Sequence, residues 1–233
     1  MKNIIFVDTE TTGLYETKDY IWQLAWIEGV QTDNKLKLLD GKEILLLPKG
    51  KKHPKRLKTF TKSLEKADMV VGHNVMFAYY FLSDYGIEIR QEKFCTMKAS
   101  TGLCCIPHFF YGYKWPRLSE AVRILLKEEP EYKKLHDARY DVFLTARLYA
   151  YINSLEVDTE SLKWHQSSNL LRFIYGFIFS PIDPYLSMRE ETKEKIKHLA
   201  SLMKPLPHMK LNLKHFKLWQ RKENKEIEED IPF

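Results

Sequence analysis

The sequence predicts an α/β domain in which strands come first and helices follow. Residues 3–7 form an apolar, β-branched run typical of a strand buried on both faces. Two further apolar segments, residues 21–30 and 36–47, flank a polar turn and indicate an antiparallel meander with the first strand. Residues 118–126 and 138–153 have helical apolar spacing. Strands that feed helices in this order are typical of an α/β fold.

The elements between these segments follow from local composition. The first strand is expected to end at Asp8, before a polar turn over residues 9–13. Residues 49–58 contain six basic residues and a proline, which predicts a solvated loop. A short helix is predicted for residues 61–67, and residues 68–72 indicate a second buried strand of the parallel type. The α/β class is therefore supported along the first third of the chain.

The next elements alternate in the same way. A helix is predicted for residues 75–82, and Cys95 and Thr96 close another short strand. Residues 107–116 carry five aromatic side chains and predict a loop before the helix of residues 118–126. We predict an α/β domain over residues 1–154, a basic and aromatic region over residues 155–222, and an acidic tail over residues 223–233.

Composition limits the function classes. The chain has 233 residues, 44% of them apolar, which is enough for a core and excludes general disorder. The net charge of +6 favours a polyanionic partner. Ten basic and three acidic residues lie within residues 189–222, so this charge is concentrated locally. Three cysteines and short apolar runs predict a cytoplasmic protein with no disulfide framework and no membrane partner.

Acidic residues form a candidate site. Asp8 and Glu10 are two apart in an extended segment, so their side chains leave on the same side. Paired carboxylates at a strand end suit a hard divalent ion such as Mg²⁺. His136 precedes a predicted helix and Asp141 lies in its first turns, where an imidazole is suited to take a proton from water. The alternatives are a solvated acidic turn and a capping histidine.

Three segments carry a family resemblance. They are Phe6-Val-Asp8-Thr-Glu10-Thr-Thr-Gly13-Leu14, Gly72-His73-Asn74-Val-Met-Phe77 and His136-Asp-Ala138-Arg-Tyr-Asp141. In this order they resemble the three motifs of the DEDDh 3′–5′ exonucleases, a family that includes the proofreading subunit of bacterial DNA polymerase III. The resemblance covers residues 1–154. It implies a ribonuclease H-like exonuclease fold with a mixed central sheet flanked by helices, and residues 155–222 are expected to form a mostly helical appendage.

The resemblance also implies a mechanism. Asp8, Glu10 and Asp141 would hold two Mg²⁺ or Mn²⁺ ions together with a fourth acid at position 78, and His136 would be the general base. The reaction would release nucleoside 5′-monophosphates from the 3′ end of DNA. Single-stranded DNA is the preferred substrate, and an RNA-trimming enzyme of the same fold is an alternative.

Several residues are expected near the substrate by the same resemblance. The backbone of Thr11, Thr12 and Gly13 would lie near the terminal nucleotide, and Asn74 would contact the strand or steady its motif. Leu14 would lie beside the terminal base, or else belong to the core. Residues 49–58 and 107–116 are candidate strand contacts because lysines attract phosphates and rings stack on unpaired bases. A solvated surface and packing against the domain are the respective alternatives.

Position 78 departs from the family pattern. The glycine-histidine-asparagine motif of the family continues through phenylalanine to a metal-binding aspartate, whereas this chain has Ala78 after Phe77. A methyl group cannot bind a metal, so the chain is expected to be catalytically impaired. We favour an introduced substitution, because the other three acids and His136 are intact. A naturally non-catalytic DNA-binding or adaptor protein with an exonuclease fold is the alternative.

The last residues form a second recognisable feature. The acidic tail ends in Asp230, Ile231, Pro232 and Phe233, and it is similar to the C-terminal tip of bacterial single-stranded-DNA-binding proteins. Such tips insert the terminal phenylalanine into an apolar pocket while their carboxylates meet basic residues. The tail is therefore expected to bind proteins that normally bind that tip. A frayed terminus is the alternative.

Overall fold

A mixed sheet occupies the centre of the fold. The structure is a computed structural model, and it describes residues 1–46, 54–110 and 112–165. Within these residues the strands are β1 (Lys2–Thr11), β2 (Ile21–Gln31), β3 (Lys35–Leu45), β4 (Met69–Gly72), β5 (Glu92–Cys95), β6 (Pro107–His108), β7 (Gly112–Tyr113), β8 (Glu156–Asp158) and β9 (Lys163–His165). The strand order is β5-β4-β1-β2-β3-β8, and β9 also pairs with β3. The strands β6 and β7 form a separate hairpin.

The strand directions confirm the predicted fold class. The strands β1, β2 and β3 are an antiparallel meander, as predicted. The strand β4 is parallel to β1, and β5 is parallel to β4. An antiparallel meander that continues into parallel strands gives the mixed central sheet that was predicted.

Helices cover the sheet. They are α1 (Pro54–Leu64), α2 (Val75–Asp84), α3 (Thr96–Cys104), α4 (Leu118–Ala121) with a π-helical turn over Val122–Leu126, a 3₁₀ turn at Tyr132–Lys134, and α5 (Ala138–Ile152). The predictions of α2, of α4 with its π-helical turn, and of α5 are confirmed. The solvated loop predicted for residues 49–58 is wrong over its second half, because α1 begins at Pro54. Proline is compatible with the first turn of a helix, where its missing N–H has no intrahelical partner.

The strand β1 is longer than predicted. Its pairing with β2 continues from Asp8↔Ala25 to Glu10↔Gln23, so the predicted end at Asp8 is wrong. An irregularity in register follows Glu10, before the last pair. Both acids therefore lie on a hydrogen-bonded strand, which fixes their backbone more firmly than a turn would.

The two faces of β1 belong to different cores. Ile5 and Val7 pack in a cluster with residues of α1 and α2, whereas Ile4 and Phe6 pack in a cluster with residues of α5. Side chains alternate between the faces of a strand. This alternation continues along β1 and directs its two acids toward the α5 face.

The sheet extends beyond residue 154. The strands β8 and β9 lie after the predicted domain boundary, and both pair in parallel with β3. Position 154 is therefore not the end of the sheet. The first part of the predicted helical appendage, residues 155–165, contains β8 and β9 and no helix, so the prediction is wrong there. The rest of the appendage and the acidic tail lie outside the described residues. Within the part of the chain that is described, no helix has the length and apolar character needed to cross a membrane.

The contact of β9 with β3 gives a first prediction. We expect Gly41→Ala to lower the free energy of unfolding by about 1–3 kcal/mol, as overpacking does. A Cβ at residue 41 would lie 2.6 Å from a ring atom of Trp164. Gly102→Ala is the control, because nothing lies within 4 Å of its added Cβ. This helical change should stabilise the protein by about 0.5–1 kcal/mol. Urea unfolding measures both, and an unchanged Gly41→Ala stability would contradict the packing of Trp164 on β3.

Candidate active site

The end of β1 supplies two carboxylates. Asp8 and Glu10 lie on this strand, and Gln23 is the β2 partner of Glu10. The chain then enters a loop in which the hydroxyl of Thr11 donates to the carbonyl of Gly13 at 2.6 Å. Leu14 follows with 74% of its surface exposed, which excludes the alternative that it belongs to the core.

The start of α5 supplies the other two groups. His136 has a left-handed backbone with a φ of 63°, and its N–H donates to Oδ2 of Asp141 at 3.1 Å. Asp137 is the N-cap and accepts a hydrogen bond from the N–H of Arg139. The predicted placement of His136 before the helix and of Asp141 in its first turn is confirmed.

These groups meet in a cavity of about 290 Å³. One ligand atom from each of Glu10, His136 and Asp141 lies within 4.8 Å of the others. The cavity is lined by Asp8, Thr9, Glu10, Thr11, Leu14, His73, Phe77, Leu118, His136 and Asp141. The structure thus brings together the four groups that the sequence predicts for catalysis, along with Thr11 and Leu14. Their roles remain predictions.

The carboxylates repel one another inside the cavity. Burial raises the pKa of Asp8, and nearby Asp137 raises it further. Burial is also the main cause of the raised pKa of Glu10, followed by the charges of Asp8 and Asp141. The pKa of Asp141 is raised by burial and by Asp8. Ionising all three acids without a counter-charge is therefore costly.

This arrangement fits a divalent cation. Asp141 is only 8% exposed, and its Oδ1 has no hydrogen-bond partner. An unpaired buried oxygen costs free energy unless another group satisfies it. Carboxylate oxygens are the ligands that Mg²⁺ and Mn²⁺ prefer. Asp8, Glu10 and Asp141 therefore have the chemistry to hold such ions.

A buried amide joins the two halves of the site. Gln23 is 2% exposed, and its Nε2 donates at 2.9 Å to both Glu43 and Asp137. Its Oε1 accepts from the N–H of Ala138 at 3.1 Å. The amide therefore holds the start of α5 against β2. Gln23 was not among the predicted site residues, although a glutamine within an apolar strand is a detectable signal.

His73 also lines the cavity, and the sequence analysis gave it no role. Its Nε2 lies 3.0 Å from the carbonyl of Pro116, and its Nδ1 lies 3.0 Å from the hydroxyl of Thr96. A carbonyl only accepts, so Nε2 carries the proton and Nδ1 accepts. Burial lowers the pKa of His73 to about 4. The imidazole is neutral and engaged at both nitrogens, which suits a structural role.

Four of the predicted residues lie outside the cavity wall. Thr12 and Gly13 lie in the loop after β1, and Asn74 is the N-cap of α2 with a left-handed φ of 71°. Asparagine tolerates this conformation better than most residues. Ala78 is 5% exposed and packs in the apolar cluster beneath α2, whereas the adjacent Phe77 lines the cavity. The structure therefore places position 78 close to the cavity but in apolar surroundings.

No known family model matches the chain, and no curated protein matches it. Solved structures similar to it include apo exonuclease I, with 15% identity and a TM-score of 0.46 over 67% of this chain and 43% of that one. Another is the apo form of a nuclease, with 19% identity and a TM-score of 0.46 over 65% of this chain and 72% of that one. A third is E. coli exonuclease I in complex with a dT13 oligonucleotide, with 15% identity, a TM-score of 0.46 and coverages of 66% and 41%. The chain spans less than half of the exonuclease I chains.

Proposed function

We propose that this chain carries the active site of a metal-dependent 3′–5′ exonuclease that acts on single-stranded DNA. The observation that supports this most directly is the convergence of Glu10, His136 and Asp141 within 4.8 Å, beside Asp8. Asp8, Glu10 and Asp141 would hold two Mg²⁺ or Mn²⁺ ions. Such ions neutralise charge on a phosphate and lower the pKa of a bound water.

The protein residues divide the remaining work. His136 is exposed and within reach of both carboxylates, so it accepts a proton from the attacking water and returns it to solvent. The N–H of His136 donates to Oδ2 of Asp141, and Oδ1, which has no hydrogen-bond partner among the described residues, would be available to a cation. In each cycle the water oxygen bonds to the terminal phosphorus and the P–O3′ bond of the preceding nucleotide breaks. That O3′ takes a proton from solvent, and one nucleoside 5′-monophosphate is released from the 3′ end.

The loop after β1 receives the terminal nucleotide in this proposal. Leu14 is exposed at the cavity and lies beside the terminal base. The backbone of Thr11, Thr12 and Gly13 approaches the terminal sugar and phosphate. Asn74 steadies the start of α2, next to cavity residue His73.

Ala78 makes this chain an impaired form of the enzyme. The missing carboxylate removes one negative charge from a site that must balance two divalent cations. One observation favours the second candidate function, a non-catalytic DNA-binding protein. Ala78 packs in an apolar cluster at 5% exposure, as a native alanine would.

Recognition of a 3′ end can be tested without cleavage. We expect Mn²⁺ to tighten the binding of a 5′-fluorescein oligonucleotide with a 3′-hydroxyl, measured by fluorescence anisotropy, more than that of the same strand with a 3′-phosphate. Glu10→Gln should remove this effect. Equal affinity with and without Mn²⁺ in both proteins would contradict the proposal. The corresponding RNA strand separates DNA from RNA preference, and an RNA preference would indicate an RNA-trimming enzyme.

The acidic tail, outside the described residues, supports a second proposal about partners. Asp230, Ile231, Pro232 and Phe233 recruit the nuclease to proteins that bind the tip of single-stranded-DNA-binding proteins. Deletion of residues 231–233 should abolish binding to such a protein in calorimetry, while oligonucleotide binding stays unchanged. Undiminished binding of the truncated chain to that protein would overturn this proposal.

A further inference from the structure

An exposed tryptophan lies three residues before the cavity residue Leu118. Trp115 is 61% exposed, and it belongs to none of the apolar clusters formed by the described residues. A large ring that contributes nothing to the core is a candidate contact for a ligand. Trp115 belongs to residues 107–116, which the sequence predicts as candidate strand contacts, but the mechanism proposed above gives it no role.

The backbone ties Trp115 to the cavity wall. The carbonyl of the next residue, Pro116, is bonded to Nε2 of His73 at 3.0 Å, and His73 lines the cavity. Leu118, three residues after Trp115, lines the same cavity. Because successive Cα atoms are about 3.8 Å apart, the backbone of Trp115 lies one residue spacing from a contact of the cavity residue His73.

A cation accompanies the ring. Nζ of Lys98 lies 5.8 Å from the centroid of the Trp115 ring. Lys98 lies two residues after Thr96, whose hydroxyl is hydrogen-bonded to Nδ1 of His73. The chain segments that carry Trp115 and Lys98 therefore both contact His73, through Pro116 and Thr96. A flat apolar face beside a positive charge matches a nucleobase and its phosphate.

A second pair of an exposed ring and an ammonium group follows the cavity residue Leu14 in the chain. Tyr15 is 66% exposed and directly follows the cavity residue Leu14. Nζ of Lys18 lies 5.8 Å from the centroid of the Tyr15 ring. Two ring and ammonium pairs therefore lie close in the chain to cavity residues, and their positive charges attract a polyanion that the carboxylates alone would repel.

We propose that Trp115 and Lys98 form a subsite for an unpaired nucleobase upstream of the 3′-terminal nucleotide. Trp115 stacks on the base, and Lys98 neutralises the adjoining phosphate. This subsite rests on the proposed function, since it requires a strand whose 3′ end lies in the cavity. It explains a preference for single strands, because a base inside a duplex has no face open to the indole.

Oligonucleotide binding to the full chain tests the subsite. Base-to-ring stacking is worth about 1–3 kcal/mol, so Trp115→Ala should weaken binding of a 5′-fluorescein deoxythymidine strand by about 5-fold to 150-fold. Trp115→Phe should retain most of the affinity. The matched control is Tyr151→Ala, in the last turn of α5, because Tyr151 is 49% exposed and ten residues beyond Asp141. Its affinity should equal that of the parent chain.

Two further measurements identify the contacts. A single abasic residue, moved along the strand, should weaken binding to the parent chain at one position and have no effect there on Trp115→Ala. Lys98→Ala should lower the slope of log K against log salt by about 0.7, the value for one phosphate contact on a single strand.

The outcomes separate the subsite from the proposed function. Unchanged affinity of Trp115→Ala, with Mn²⁺-dependent recognition of the 3′-hydroxyl intact, overturns the subsite and leaves the exonuclease proposal standing. If the parent chain shows no Mn²⁺-dependent recognition of the 3′-hydroxyl, both the subsite and the exonuclease proposal are overturned. Circular dichroism verifies that each variant is folded.

Discussion

Replacing Ala78 with aspartate is expected to produce metal-dependent removal of nucleotides from the 3′ end, about 10²–10³-fold faster than with the parent chain. This increase in rate equals the loss typically caused by removing one group that stabilises charge in the transition state. Position 78 follows the cavity residue Phe77, and the family resemblance assigns a metal-binding acid there. A 5′-labelled oligonucleotide that shortens from its 3′ end in Mg²⁺ or Mn²⁺ is the measurement.

The amide variant isolates the role of charge. Ala78→Asn has nearly the same shape as Ala78→Asp but adds no negative charge, so it should give no gain in cleavage. Both variants place a larger polar group at a position that is 5% exposed within an apolar cluster. Both should therefore lower the thermal unfolding temperature without metal. Mn²⁺ should restore stability to Ala78→Asp and much less to Ala78→Asn.

A different result would change the function assigned to the chain. A folded Ala78→Asp variant that binds Mn²⁺ yet cleaves no faster than the parent chain would contradict the assignment of the missing acid to position 78. The apolar surroundings of Ala78 would then be those of a native alanine. A DNA-binding protein with an exonuclease fold would become the better description.

The sequence predicts the elements that place the candidate site. A continuous apolar run precedes Asp8, and a helical apolar pattern begins just after His136. The strand and the helix that carry the acidic residues of the cavity are therefore both predicted from hydrophobic patterns in the sequence. The helix α3 was not predicted. Its buried positions are Thr96, Ser100 and Cys104, which have helical spacing but little hydrophobicity. A helix whose buried face is mostly polar is not detected from apolar periodicity.

Long-range contacts account for the other differences. The hydrogen bonds of Gln23 with Asp137 and Ala138 join residues more than one hundred positions apart, which no local pattern reveals. His73 belongs to a recognised motif, but its neutral state depends on Pro116 and Thr96. The strand β1 continues past Asp8 because β2 supplies pairing partners for polar residues there. Tertiary contacts decide these features, and local propensity does not.

Replacing Asp141 with asparagine should stabilise the metal-free protein and, at the same time, abolish its stabilisation by metal. Burial raises the pKa of the Asp141 carboxyl, and the charge of Asp8 raises it further. The charges of Asp8 and Asp141 both raise the pKa of Glu10. Asparagine keeps an oxygen that can accept from the N–H of His136 but carries no charge. Functional sites commonly sacrifice stability in this way.

The stability gained by Asp141→Asn depends on pH, and the pKa of Asp141 determines the direction of that dependence. The pKa of Asp141 is raised in the folded chain above its unfolded value of about 4. Between these two values the folded state binds more protons than the unfolded state, so the free energy of unfolding falls as the pH rises. The stability gained by Asp141→Asn should therefore grow from pH 5 to pH 8, where it reaches roughly 1–3 kcal/mol.

Bound metal should oppose this loss of stability at higher pH in the parent chain. Cation binding requires the carboxylates to release their protons, so the increase in unfolding temperature caused by Mn²⁺ should grow with pH. Asp141→Asn should show little increase at any pH. The control is Asp158→Asn on β8, because a hydrogen bond from the N–H of Glu160 and one from Lys35 lower the pKa of Asp158. That variant should lose stability above pH 4 and keep the full response to Mn²⁺. If Asp141→Asn instead destabilises the metal-free protein at pH 8, the carboxylates do not repel one another, and the cavity has no need of a cation.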